Sequence, residues 1–505
     1  MRLIRSSLWN LIGGVIPAAA AIVTVPLIVS RLGEVHYGLL TLITAIVGYF
    51  ALLDVNATQG SVKYLAQYKS RQDMSRMAQV FCLGAGLYLV IGAVGGAAIA
   101  SFARPLASTV FNVPLHLQDL SVQALKWGGL AFFFAQLQMY LLSVPQAVNR
   151  FDMSARSEVV FGSLTSLSTV VIVLAGGGIV EIMAARAALA AANVAWLSTA
   201  VLRLLPELRP VWPGRQVARD LMSFSMFTYL SRIASVTHVS ADKLLIGAYV
   251  DMKALAYFAV PFLLVNRLYA LTYRLGSVML PEASRLDAHG QHEQLVHKYL
   301  MAARYLLFIN VVIAVLLLTL GRELLWYWAG PSFGPEATVI LLLLVTGALL
   351  STVSNLPSHI TEGLGRPAIT GSFAVARAAL GLLCAWVGVV SHGILGVAWA
   401  QLLVALVMLS AFLAWVHGRV IPATLGEFVR TAVLPSLWPL AAALFMACSR
   451  LGSDPLSLQW TLGLGALVFA GLLAYGYWFV LQTAHRASAL TYVAGRVQAL
   501  RARQA

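Results

Sequence analysis

The feature that most constrains this chain is a recurring one: long apolar runs joined by short polar connectors. A helix crosses the hydrocarbon core of a bilayer with about 20 apolar residues. Runs of that kind fall at 8–30, 38–62, 79–103, 120–144, 157–177, 180–202, 221–249, 254–280, 300–320, 335–360, 367–390, 393–416, 430–449 and 459–482. Charge is scarce: 10% of the 505 residues are charged and 60% are hydrophobic, with a mean hydropathy of +0.83. A soluble domain carries about 25% charged residues, and a chain this poor in charge cannot cover a surface facing water. Inside lipid every backbone group must be satisfied within the chain, which leaves helices for spans of this length. The expected fold is therefore an all-α polytopic membrane protein with about 14 transmembrane helices. The opening Met1-Arg2-Leu3-Ile4-Arg5 resembles a signal peptide, but its apolar run continues to Val29. That exceeds the h-region of a cleaved signal, so a retained first helix is expected.

The net charge of +15 is explained by topology rather than by nucleic acid, because the cations lie between the apolar runs. With the N-terminus in the cytoplasm, the cytoplasmic connectors hold twenty Lys and Arg. The external ones hold five: Arg31, Arg104, Lys253, Arg322 and Arg450. That bias is the positive-inside signature and places both termini inside. No connector is long enough for a soluble domain; the largest, 203–220 and 281–299, have room for a short surface helix. The three cysteines, Cys82, Cys384 and Cys448, sit in apolar runs without metal or disulfide spacing. Neither a P-loop nor a G-x-S-x-G or HExxH signature is present, so no enzyme chemistry and no cofactor are expected.

The chain repeats itself. PQAVNRFDMSARSEVVFGSLTSLSTVVIVLAGGGIVEIMAARAALA from Pro145 parallels PSHITEGLGRPAITGSFAVARAALGLLCAWVGVVSHGILGVAWAQLLVA from Pro357. Each leaves a helix at proline, crosses a polar connector and an apolar helix, and turns at GGI or HGI. This predicts two six-helix lobes, 1–210 and 211–420, then two C-terminal helices in 421–485 and a basic cytoplasmic tail, 486–505. Repeats of this kind place a substrate path between the halves.

Charges within the apolar runs carry the functional signal, since an arginine at a helix centre costs about 2.5–3.5 kcal/mol unless it faces a cavity or partner. The seventh run holds Arg232, His238, Asp242 and Lys243, and the eighth holds Arg267 and Arg274, seven apart on one face. Lys63, Lys126, Arg304 and Arg377 add positive charge, against few acids: Asp54, Glu158, Glu181, Asp242 and Glu362. A net cationic interior suits an anionic substrate, because guanidinium matches phosphate oxygens with paired donors. Arg232 could instead be neutralised by Asp242. Gln136, Gln138 and Tyr140 in the fourth run are candidates for sugar hydroxyls or for helix–helix bonds. His238 and Asp242 are candidates for coupling to an ion gradient, and the prolines Pro17 and Pro26 are candidate hinges.

Three stretches are similar to one family: VPLIVSRLGEVHYGLLTLITAIVGYFALLDVNATQGSVKYLAQ (25–67), ADKLLIGAYVDMKALAYFAVPFLLV (241–265), and PSHITEGLGRP together with SHGILGVAWAQ. They resemble the polysaccharide transporter branch of the multidrug/oligosaccharidyl-lipid/polysaccharide exporter superfamily, O-antigen flippases in particular. The resemblance implies fourteen helices in two lobes around a cavity that opens alternately to each side. It implies movement of an oligosaccharide linked to undecaprenyl diphosphate, from the inner to the outer leaflet of the bacterial cytoplasmic membrane. Arg232, Arg267 and Arg274 would then face the diphosphate, with Lys126 and Arg377 as further cations. The expected drive is a proton or sodium gradient, the membrane potential or downstream consumption of the product, with a polysaccharide polymerase the expected downstream partner and a monomer the expected state. Val55-Asn56 departs from the family, which commonly has leucine or phenylalanine followed by glycine there. The alternatives are a cation-coupled multidrug exporter, which would favour an acidic or aromatic cavity, and a membrane-embedded polymerase or ligase, which would need a sizeable external loop.

Overall fold

The computed structural model describes residues 24–148, 150–206, 211–450, 453–482 and 486. Most of the first expected span, with Pro17, and the basic tail therefore lie outside the described residues. So do the side chains of His238, Arg267 and Arg274, whose backbones are helical. Among the described residues there is no strand beyond one isolated bridge between His417 and Ile421.

The helices are α1 (Glu34–Tyr49), α2 (Ala57–Ser70), α3 (Met74–Ser101), α4 (Gln118–Ala147), α5 (Phe151–Leu174), α6 (Ile179–Leu204), α7 (Arg215–Tyr249), α8 (Met252–Gly276), α9 (Met279–Ala288), α10 (His292–Trp328), α11 (Pro335–Val353), α12 (Asn355–Gly363), α13 (Pro367–Val416), α14 (Leu434–Ser449) and α15 (Leu458–Tyr475). Ten helical stretches are long and apolar enough to cross a membrane by length and composition. One of them, α13, holds two of the expected spans, joined at a kink where Gly393 has φ 59°. The equivalent turn of the first repeat, between α5 and α6, uses Gly176 at φ 82°. A positive φ is open to glycine without a Cβ clash, so each turn rests on a glycine, although Gly178, which aligns with Gly393 in the repeat, itself has φ −110°. The 281–299 connector does contain a short helix, α9.

The expected span 38–62 is not one helix. After α1 the backbone tightens into a 3-10 turn, Phe50–Leu53, becomes extended at Asp54, and passes through Asn56 at φ 56° before α2 begins. This left-handed conformation explains the Val55-Asn56 departure. Asparagine is the residue that best replaces glycine at positive φ, because its short polar side chain bonds locally.

The described helices form two compact units. The first comprises Met1–Val260 with Ala374–Ala400, the second Pro261–Phe373 with Gln401–Ala505. The first takes in α7, which packs along α1 and α2. One close crossing in it is α3 on α4, where a Cβ on Gly96 would lie 2.6 Å from the Gly129 carbonyl oxygen and one on Gly129 2.5 Å from that of Gly96. Small residues at a crossing let backbones approach when lipid supplies no hydrophobic drive. The second unit is cored by Ala283 and Leu286 of α9, Leu295 and Tyr299 of α10, Ile360 of α12 and Val416 of α13.

Candidate functional site

Within the first unit, the break after α1 organises a buried ionic cluster. Because the chain leaves helical geometry at Asp54, local backbone groups lack helical partners, and the Asp54 carboxylate supplies one. The Asn56 N–H donates to Asp54 Oδ1 at 2.8 Å, and the Tyr88 hydroxyl of α3 donates to the same oxygen at 2.5 Å. Tyr88 in turn accepts from the Thr58 N–H at 3.2 Å. Tyr88 stacks on Tyr140 of α4, centroids 5.3 Å apart, in a fully buried nest with Ala57.

The charge opposite Asp54 comes from α7. Arg232 Nη2 lies 3.7 Å from Asp54 Oδ2, with the Asp54 side chain fully buried and that of Arg232 31% exposed. Three residues earlier on the same face, the Tyr229 hydroxyl donates to the Leu52 carbonyl at 2.6 Å. The pair is loosely closed. Asp54 Oδ2 accepts no hydrogen bond, Arg232 Nε is buried without a partner, and Nη2 also meets the Met139 sulfur at 3.9 Å. Arg232 thus keeps donors that an incoming anion can use. Its partner is Asp54 of a distant segment, where the sequence pointed to Asp242 on the same helix.

A second arginine of this unit escaped the sequence reading. Arg186 on α6 donates from Nη1 to Thr44 Oγ1 of α1 at 3.2 Å, and its Nε is buried without a partner. The signal was present, a single cation in the run AARAALAAA, but its significance depends on which helix α6 meets.

The remaining candidates scatter. Tyr140 is buried and donates its hydroxyl to the Phe81 carbonyl at 2.9 Å, binding α4 to α3. Gln136 is buried with Oε1 unpaired, one turn before it, and Gln138 is half-buried. Lys126 is exposed on α4; Arg377 is half-buried on α13; Asp242 is buried on α7. Arg304 donates from Nη2 to the Phe479 carbonyl at 2.5 Å, and its Nε is buried without a hydrogen-bond partner. Among the described residues no cluster of His, Cys, Asp and Glu has the makings of a metal site.

Residues 28–335, more than half of the chain, match the family of polysaccharide biosynthesis proteins. A Shigella flexneri protein named "Putative O-antigen transporter" is 22% identical over 437 residues, covering 83% of this chain and 98% of that protein. Among solved structures, the lipid II flippase MurJ in an inward closed conformation is similar at TM-score 0.71 and 13% identity, covering 94% of this chain and 99% of that one. An inward-facing multidrug transporter of the MATE family, in the MOP superfamily, is similar at TM-score 0.66 and 13% identity, covering 84% and 99%.

Proposed function

Because the chain belongs to the polysaccharide biosynthesis protein family, we propose that it is a flippase. It carries an oligosaccharide on undecaprenyl diphosphate across the bacterial cytoplasmic membrane, with both termini cytoplasmic. It works by alternating access between two six-helix lobes and makes no covalent bond. The observation that carries this reading is the loosely closed Asp54–Arg232 pair: a guanidinium on α7, 31% exposed, whose fully buried carboxylate lies at 3.7 Å rather than in hydrogen-bond contact. A phosphate competes well for such a group, because Arg–phosphate pairs form two parallel charge-assisted bonds. Arg267, Arg274, Lys126 and Arg377 are the further cations assigned to the substrate's phosphates. Gln136 and Gln138 meet sugar hydroxyls, and His238 and Asp242 couple the cycle to a proton or sodium gradient. The protein acts as a monomer and hands its product to a polysaccharide polymerase.

The fold supports this reading through its similarity to the lipid II flippase, and the excess of cations over acids in the apolar runs of the sequence favours it over an exporter of cationic drugs. The test is movement across liposomes containing the purified protein, comparing a fluorescent undecaprenyl-diphosphate oligosaccharide with a cationic dye. Movement of the lipid-linked sugar alone is expected; movement of the dye alone would make the protein a drug exporter.

A further inference from the structure

Arg186 is a charge in search of a reason. Among the described residues, no ion pair includes it. Its hydrogen bond goes to a neutral hydroxyl, Thr44 Oγ1 at 3.2 Å, and its other electrostatic neighbour is the buried, uncharged Tyr37 of α1. A structural arginine within a span is normally paired with an acid or with carbonyls, as an unpaired one is costly in lipid. The row of α1 that carries Thr44 is not dressed for lipid either. Thr41, Thr44 and Gly48, continued by Ala51 in the 3-10 turn, are small or polar and all partly or fully exposed. The exposed row on α3, in the same unit, is Leu89, Val90 and Val94. Four of the five guanidinium donors of Arg186 are not engaged by Thr44.

The second observation is spacing. Arg186 meets α1 at Thr44, whereas Arg232 meets the far end of the same segment at Asp54, just past Leu53. From Thr44 to Tyr49 the rise is about 1.5 Å per residue, and through the 3-10 turn to Leu53 about 2 Å, so the two contacts are about 15 Å apart along the axis. That is about half of a 30 Å hydrocarbon core. The two phosphates of a diphosphate share one oxygen atom, so one headgroup cannot touch both points at once.

We propose that Arg232 and Arg186 are two successive stations for one phosphate headgroup travelling along α1. Arg232 takes the headgroup up at the Asp54 end, and Arg186 receives it near mid-membrane. Thr44 holds the vacant Arg186 guanidinium in place between passages. The inference rests on the flippase reading and assigns Arg186 a substrate-binding role within it.

Binding and movement separate the stations. The affinity of the purified full-length protein for undecaprenyl diphosphate is measured in detergent, and the rate of movement of its fluorescent oligosaccharide form in liposomes. Arg232→Gln is expected to weaken binding by about tenfold or more. Arg186→Gln is expected to leave the affinity within about twofold while slowing movement by about tenfold or more; Arg186→Lys, which keeps the charge, recovers part of the rate and shows that the site tolerates change. Equal loss of affinity in both variants would merge the stations into one site and overturn the proposal. A rate for Arg186→Gln equal to that of wild type would overturn it alone, and a wild type that moves no lipid-linked sugar would overturn the flippase reading beneath it. Phosphatidylglycerol in the liposomes distinguishes the source of the headgroup. If it slows the wild type and not Arg186→Gln, Arg186 serves bulk anionic lipid and the relay is wrong.

Discussion

Each unit of the molecule holds a fully buried acid against an arginine, and the two pairs are built differently. In the second unit, Glu323 of α10 meets Arg450 at the end of α14 in a close ion pair, with the Arg450 side chain 22% exposed. Everything around that pair is tied. Arg450 Nη1 donates to the Thr319 carbonyl at 3.2 Å, Arg322 donates to the Arg450 carbonyl at 3.3 Å, and the Leu456 N–H donates to Glu323 at 3.3 Å. The Tyr327 hydroxyl adds a bond to the Leu456 carbonyl at 2.8 Å. This clasp fastens the α14–α15 connection to α10. In the first unit, Asp54 is held as firmly by Tyr88 and Asn56, but Arg232 stands off at 3.7 Å. Each acid leaves one oxygen without a hydrogen bond, Asp54 Oδ2 and Glu323 Oε2. The arginines decide the difference: one is absorbed by carbonyls and carboxylate, the other is available. Saturation, not the presence of a buried ion pair, separates a structural clasp from an exchangeable one.

Substitutions can break this comparison. Removing one partner of the clasp, Glu323→Ala, leaves Arg450 and the Leu456 N–H uncompensated and should cost about 3–5 kcal/mol. Thermal unfolding in detergent would show it, with transport falling only as folded protein is lost. Asp54→Ala strands the Tyr88 hydroxyl and the Asn56 N–H, and should cost about 2–3 kcal/mol by the same measurement. Arg232→Gln should cost less than Glu323→Ala, because the guanidinium stands 3.7 Å from the fully buried Asp54 carboxylate, outside hydrogen-bond contact, and that carboxylate keeps its bonds from Tyr88 and Asn56. On the proposed reading its effect falls on substrate affinity. A stability loss for Arg232→Gln as large as that for Glu323→Ala would erase the distinction between the pairs.

Two finer tests probe the backbone and the surface. Asn56→Gly should be nearly neutral for stability, whereas Asn56→Ala should cost about 1 kcal/mol, since alanine meets the left-handed Cβ clash without asparagine's local bonds. At the surface connector, hydrogen bonds from Arg285 and Lys298 hold the Glu282 carboxyl down at about 2. A carboxylate depressed in the folded state stabilises above its unfolded value and loses that contribution as pH falls through the folded one. Hydrogen exchange of α9 should therefore show no change from this group between neutral pH and the ordinary carboxylate range, and loosening only toward pH 2.

Much of the fold was legible because hydropathy reports what faces lipid. The runs that became α3, α4, α10, α11 and α13 are visible in order, and GGI and HGI mark their bends. The break at Phe50–Asn56 was hidden, because an apolar 3-10 turn has the same hydropathy as an α-helix; Asp54 and Asn56 were its clues. Arg232 was legible as a charge in a span, but its partner was not. Periodicity relates residues on one helix, so it offered Asp242, whereas packing brought Asp54 to α7. Arg186 and the Glu323–Arg450 clasp, 127 residues apart, were invisible for the same reason: their meaning lies in which helices touch.

The central claim is that an available arginine in the first unit handles a diphosphate lipid. Its most direct test is the initial rate of transbilayer movement of fluorescent undecaprenyl-diphosphate oligosaccharide, in liposomes holding equal amounts of folded wild type, Arg232→Gln and Arg450→Lys. The account predicts rapid movement by wild type, loss of about tenfold or more in Arg232→Gln, and a near wild-type rate for the Arg450→Lys protein that remains folded. Undiminished movement by folded Arg232→Gln would contradict it.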